Sequence, residues 1–457
     1  MSAHALAGLA ALNVLYLTCG LAALWLVRGW DTWAQLARLA GLAYVLGVVA
    51  IGLLWSLLLI VAVPFSLGIV VGLPVVIAAG AAVAARRRGR PWPSRMLAGS
   101  LRRLVVTAFG ISASVLLLAG FFRAARLSGL YWWDAWSFWV PKAKAIYSFG
   151  SLDVGFFTTL PGSSYPPLIP VLDAAAFHVM GSADVVTLHV QYWLFGVAFV
   201  WALAGLLAER VRDWILWPFI LLVLVAPRIG ERFLVAEADL FLDYLFALAS
   251  VLVLYWILDR ERWQLAIAVA LMSGMVLTKR EGLLLAAVLV GAALLASARD
   301  WRAAWPALGI AAAAVAVVAA PWRVWYIAHG VAGEAPTDGL DPTANAERLF
   351  PSFRLAFDVL LSSEYWSVLV SVALGALLLA LLTRAYAVVV YFGALVLLVT
   401  LGGGWITWAV PELEITQELG ANPIVRYMGA AALACAAASP VLLSIAWRAV
   451  TSQEESS

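Results

Sequence analysis

The chain has 457 residues, of which 65% are hydrophobic and only 12% charged, and it carries a formal net charge of +3. That composition excludes a water-soluble globular protein, and so small a charge does not suggest a nucleic-acid binder. The lengths and Leu/Ala/Val content of the apolar runs do not suit the short alternating strands of a barrel. Backbone groups in hydrocarbon must be satisfied within their own segment, so the runs are read as helices and the chain as an all-α polytopic membrane protein. The two cysteines, Cys19 and Cys435, lie inside separate apolar runs without metal-ligand spacing, and no disulfide is expected.

Thirteen spans are predicted, near 5–27, 40–62, 66–85, 104–122, 184–207, 214–227, 238–258, 265–278, 283–298, 303–322, 366–382, 385–401 and 428–447. The first is read as a retained helix, because Met1-Ser2-Ala3-His4 lacks a basic region and an evident small-residue cleavage site. The sixth and eighth are short enough to be tilted or re-entrant instead. The basic connection Arg86-Arg87-Arg88-Gly89-Arg90, continued by Arg95, Arg102 and Arg103, sets the orientation by the positive-inside rule. Parity then puts Arg28/Arg38, Arg210/Arg212, Arg260/Arg262, Arg299/Arg302 and Arg384 on the same, cytoplasmic side. The opposite side receives the long segments 123–183, 323–365 and 402–427. It also receives most of the acids and all three lysines, Lys142, Lys144 and Lys279. Cations there run against the insertion rule, so either acids of the protein or an anionic ligand must favour them.

The first external segment, 131–149, reads as an amphipathic helix on the membrane surface with a break or start at Pro141. Trp132, Trp133, Trp136 and Trp139 suit the interface. Among them sits Asp134. A carboxylate at an apolar boundary loses solvation and gains basicity, which suits a general base acting on a hydroxyl. Downstream, Tyr165-Pro166-Pro167 reads as a rigid corner that could hold Tyr165 toward a site and start a short helix over 168–180.

Glu237, Asp239 and Asp243 open the seventh span, with Asp239 and Asp243 on one helix face. An acid inside an apolar run is costly, so it is read as functional or paired, with Lys279 or Arg280 as the structural partner. Thr278-Lys279-Arg280-Glu281-Gly282 separates two apolar runs with almost no loop. Its two cations need an anion, which could be those acids or a phosphate. Arg426-Tyr427, at the mouth of the last span, offers another guanidinium that could equally snorkel to the interface. The segment 323–365 is long enough to act as a lid. Trp405 and Trp408, after Gly402-Gly403-Gly404, could stack on sugar or anchor at the interface.

In this order the motifs resemble the GT-C superfamily of lipid-dependent glycosyltransferases, especially its protein-mannosyltransferase and aminoarabinose-transferase branch. The matching pieces are Asp134, Tyr165-Pro166-Pro167, Ala238-Asp239, Leu277-Thr278-Lys279-Arg280-Glu281-Gly282 and Arg426-Tyr427, and they cover about residues 104–447. Two departures stand out. Tyr165 replaces a residue before Pro-Pro that is often basic, and Ala135 replaces a second acid that often follows the external Asp.

The resemblance implies a GT-C-like fold in three parts. These are additional N-terminal helices and a basic loop over 1–103, a catalytic module over 104–322, and an external loop with C-terminal helices over 323–457. It implies an inverting transfer from a polyprenyl-phosphate sugar to a hydroxyl of a glycan, lipid or protein, on the external face of a plasma membrane. The Arg- and Ala-rich composition suggests a bacterial one. Asp134 is then the catalytic base. Lys279, Arg280, Arg426, Tyr427 and Tyr165 are donor-phosphate contacts, and Glu237, Asp239, Asp243, Lys142 and Lys144 form a secondary acidic and basic set. No cofactor is required, and a divalent metal held by Asp134 and Asp239 is the alternative. The rival readings are a secondary transporter and a non-catalytic membrane scaffold or lipid-binding protein.

Overall fold

The computed structural model describes residues 1–94, 101–127, 129–130, 132–233, 235–331, 346–409 and 423–454, with the side chains of 101–104, 423 and 452–454 excepted. In chain order the helices are α1 Ala3–Val27, α2 Trp33–Ile60, α3 Leu67–Arg87, α4 Leu101–Ala125, α5 Val140–Phe149, α6 Val154–Phe157 and α7 Leu168–Met180. They continue with α8 Val185–Leu207, α9 Asp213–Val225, α10 Pro227–Arg232, α11 Ala238–Asp259, α12 Arg262–Thr278 and α13 Glu281–Ala296. The remainder are α14 Trp301–Ala328, α15 Ala346–Leu361, α16 Ser363–Trp366, α17 Leu369–Leu382, α18 Tyr386–Ala409 and α19 Pro423–Glu454. No strand occurs among the described residues.

Nine of these helices are long and apolar enough to cross a membrane, which makes the chain an integral membrane protein. The count differs from thirteen because four of the expected runs are shorter. At 1.5 Å per residue α9, α12 and α13 (13, 17 and 16 residues) fall short of a hydrocarbon core about 30 Å thick. The fourth, α17, passes the same test only together with α15 and α16, from which it is bent by 111°. Part of the expected lid, 332–345, and residues 410–422 of the last external segment lie outside the described residues. Within the described part of 323–365, α15 is packed onto α18, with Phe353 against Gly404.

Polar caps start several helices. Ser2 accepts from the Ala5 amide, Thr32 from that of Gln35, and Asp184 from those of Val186 and Thr187. Small residues let backbones close up, as membrane helices require where no hydrophobic drive separates helix from lipid. A Cβ on Gly20 would lie 1.6 Å from the Ala43 carbonyl oxygen, and one on Gly47 would lie 1.9 Å from that of Tyr16, so α1 and α2 touch through glycine. The centre of the bundle is α11, buried from Ala238 to Ile257 against α8, α12, α13 and α19. Helices apolar on all sides belong in such a position.

The arginine-bearing connections gather at one end. Arg28 and Arg38 both pair with Glu209, Arg210 pairs with Asp259, and Arg448 donates to the Arg210 carbonyl. Asp134, Asp239, Lys279 and Arg426 gather at the other end.

Asp173 of α7 is buried beneath α1 and α8, with the Tyr192 hydroxyl donating to it at 3.0 Å. Burial, relieved in part by that hydrogen bond, pushes its carboxyl up to about 8. Its folded-state value exceeds its unfolded one. Its contribution to stability is therefore complete below the ordinary value of 3.8 and is lost as pH climbs through about 8. Thermal melts in detergent between pH 6 and pH 9 are expected to show the melting temperature falling with pH. Asp173→Asn is expected to flatten that dependence.

Candidate active site

Asp134 is presented by an unusual local backbone. Residues Ala135–Trp139 form a π-helical turn that runs into α5 at Val140. Pro141 has no N–H to return to the preceding turn, so the helix widens there instead of continuing as α. The wider turn buries Phe138 and Trp139 and leaves Trp133 and Trp136 about half exposed, at 53% and 51%. Asp134 thus sits between a packed aromatic face and an interfacial one.

Trp139 stacks on Tyr165, with ring centroids 5.4 Å apart and planes 19° from parallel. The Ser164 carbonyl, just before it, accepts from the Trp322 indole at 3.1 Å. The Pro-Pro corner is held from both sides, and Tyr165 faces the cations. The Arg280 guanidinium lies 4.7 Å and the Lys279 ammonium 5.6 Å from its ring centroid. Burial raises the Tyr165 phenol above its ordinary value, so it stays protonated at neutral pH.

The α12–α13 corner is two residues long because Gly282 allows it. A Cβ there would lie 2.0 Å from the Met275 carbonyl oxygen. Lys279 is extended and buried at this corner. Its ammonium donates to Asp239 Oδ1 at 2.6 Å and lies 3.4 Å from Glu281. Burial alone would lower it, but the carboxylates of Asp239 and Glu281 outweigh burial and hold it above its ordinary value. Lys279 is a cation at neutral pH.

Arg426, in the first turn of α19, joins the clusters. Its Nε donates to Asp239 Oδ2 at 2.9 Å, and its Nη2 donates to Asp239 Oδ2 at 2.5 Å and to Asp134 Oδ2. Glu237 lies 3.9 Å from the same Nη2. Behind them Arg232, buried at the end of α10, stands 3.5 Å from Glu237 and 3.8 Å from Asp239. Burial raises the Glu237 carboxyl above the usual range, against the pull of Arg232. Asp243 is buried one turn further along α11, its Oδ2 pressed to the backbone of Gly429, where a Cβ would lie 2.3 Å away.

A cavity of about 410 Å³ joins these groups. Eight of the eleven residues picked out from the sequence line it: Asp134, Tyr165, Asp239, Asp243, Lys279, Arg280, Arg426 and Tyr427. Trp133, Phe138 and Ile406 add aromatic and apolar wall. The Tyr427 hydroxyl is buried without a hydrogen-bond partner among the described residues. Glu237 does not line the cavity but backs Arg426.

Two lysines are not where the sequence suggested. Lys142 is fully buried, donates to the Gly162 carbonyl and lies near the rings of Phe138, Trp139 and Phe157. Lys144 is exposed and does not line the cavity. Both follow from helix geometry. Positions 142 and 144 project from different faces of α5, so the face that buries Lys142 behind the cavity wall at Phe138 and Gly162 leaves Lys144 exposed. Lys142→Met is expected to lower the melting temperature while leaving the KM for any ligand of the cavity unchanged.

Arg232 was missed. Its sequence signal was Arg228 and Arg232 together, two more cations on the side where cations are disfavoured. The carboxylates of Asp134, Glu237 and Asp239 come within 4.8 Å of one another, a spacing that would admit a divalent cation. The Arg426 guanidinium already lies among them, so a metal bound there would have to displace it. Trp405 and Trp408 do not line the cavity, and Trp405 is 40% exposed, as an interfacial anchor would be.

Comparison with protein-family models, with curated proteins and with solved structures finds no match to this chain.

Proposed function

We propose that this protein transfers a sugar from a polyprenyl-phosphate donor to an acceptor hydroxyl, with inversion, at the cavity that joins Asp134, Lys279 and Arg426. The observation that carries this reading is the convergence itself. Asp134 at an aromatic boundary, the acids Asp239, Asp243 and Glu281, and the three cations Lys279, Arg280 and Arg426, from four distant stretches of chain, line a single pocket at the end of the bundle away from the arginine loops. A transporter needs ionisable groups near the bilayer midplane, and a scaffold needs no convergence at all.

In the proposed reaction Asp134 takes the proton of the acceptor hydroxyl as that oxygen attacks the anomeric carbon. The bond from that carbon to the phosphate oxygen breaks, and its electron pair leaves with the lipid phosphate. Lys279, Arg280 and Arg426 stabilise the charge that develops there. The geometry leaves donors for this task. Nη1 of Arg426 makes no hydrogen bond to a described residue, and Lys279 has three N–H groups for two carboxylates. Asp239 holds both cations in place and is a positioning residue. By the same reading the short helices α9, α12 and α13 and the bent α17 also cross, with the bilayer thinned around them, and complete the thirteen spans of a GT-C-like fold. The cavity then opens on the external face of a bacterial plasma membrane, because the arginine-rich end is cytoplasmic.

The test is incubation of the purified protein with a panel of radiolabelled polyprenyl-phosphate sugars. One donor is expected to lose its label in a reaction abolished by Asp134→Asn. A folded protein that consumes none of them, or consumes one equally well as the Asn variant, would sink the reading.

A further inference from the structure

Four arginines from four stretches of the chain surround a second cavity, of about 420 Å³, at the opposite end of the bundle. Arg210 comes from the α8–α9 connection, Arg299 from the 3₁₀ turn Ala298–Asp300, Arg384 from the α17–α18 corner and Arg448 from the last part of α19. Leu258, Val388, Val441 and Ile445 make much of the remaining wall.

No carboxylate lines this cavity among the described residues. Arg210 pairs with Asp259, and Arg448 donates to the Arg210 carbonyl and the Ser444 hydroxyl. Arg299, Arg384 and Arg448 make no ion pair with a described residue. A neighbouring cavity at the same end shows what a merely topological set of arginines looks like. It is lined by four arginines and four carboxylates, so its charges cancel. The positive-inside rule accounts for arginines at this end, but not for four of them around one space with the acids left out.

We infer that this cavity binds the phosphate headgroup of an anionic glycerophospholipid, with the acyl chains running along the apolar wall into the bilayer. Guanidinium forks match phosphate oxygens, and basic pockets between membrane helices suit anionic headgroups. A lipid supplies both the charge and the apolar tail that the two parts of the wall call for. The inference is independent of the reaction proposed for the other cavity.

The test is titration of the full chain in detergent with phosphatidylglycerol, phosphatidylcholine or inorganic phosphate. Bound lipid is counted by native mass spectrometry, and melting temperature is followed in parallel. Phosphatidylglycerol is expected to bind saturably and raise the melting temperature, whereas phosphatidylcholine at the same mole fraction does neither. Arg299, Arg384 and Arg448 are exposed, so glutamine at these positions should leave the fold intact. R299Q/R384Q is expected to weaken phosphatidylglycerol binding roughly tenfold or more. R262Q, in the charge-balanced cavity, is expected to leave it unchanged. If the double variant does not fold, R448Q reads the same site. Equal retention of both lipids, an unchanged R299Q/R384Q, or an equal loss in R262Q would overturn the site. Inorganic phosphate that reproduces the stabilisation would replace the lipid by a soluble anion and overturn the assignment.

Discussion

Asp134→Asn is expected to lower the proposed glycosyl transfer by about 10²–10⁴-fold, the contribution typical of one well-placed general base. The substitution keeps the shape of the side chain and removes only its ability to accept the proton. Its structural cost is modest, because Arg426 retains both of its hydrogen bonds to Asp239 when Asp134 is neutralised. The side chain of Asp134 is also less enclosed than that of Asp239, at 14% against 4% exposed. The expected result is an enzyme with near-normal expression and melting temperature and almost no turnover. KM for the lipid donor should change little, since in the proposed reaction the cations and not Asp134 hold the donor phosphate. A variant with full activity would remove Asp134 from the reaction, and one that fails to fold would make it a structural residue.

Asp239→Asn should behave differently. Asp239 is the common partner of Lys279, Arg426 and, at longer range, Arg232, and it is almost wholly buried. Removing one member of a buried charge network leaves the others desolvated and unpaired, at a cost of about 3–5 kcal/mol. The melting temperature should fall sharply, and activity should fall with it. A double-mutant cycle separates the causes. Asp239→Asn combined with Lys279→Met removes a charge of each sign, so it should melt higher than Asp239→Asn alone. Activity should stay low in the pair, because the proposed reaction has then lost one of the cations that stabilise its departing phosphate. A double variant no more stable than the single one would mean that the Lys279–Asp239 pair is not what holds this corner.

The helical, membrane-embedded character of the chain was legible because it rests on local facts. Long apolar runs between Ser2, Thr32 and Asp184 caps can be read one segment at a time. The gathering of Arg28, Arg38, Arg210 and Arg260 at one end could also be foreseen, since alternate connections of an up-and-down bundle must meet. The span count was less legible. A run such as Arg262–Thr278 looks like a crossing on hydropathy alone, and its 17 residues put it at the lower limit of what spans a bilayer.

Residue type and position marked Asp134, Asp239, Lys279 and Arg426 as costly charges in apolar surroundings. That cost was visible before any partner was known. Which charges answer one another was not. Arg426 reaches Asp239 across 187 residues and Asp134 across 292, and no local pattern encodes a contact of that range. The same holds for Lys142 and Arg232. Lys142 looked like a ligand-facing cation, but the path of α5 beneath Gly162 buries it as a structural donor. Arg232 was not singled out, but the end of α10 sets it beside Glu237 and Asp239. Side-chain chemistry named the charged groups of this protein. Helix packing chose their partners, because pairing depends on distances that exist only once the bundle has assembled.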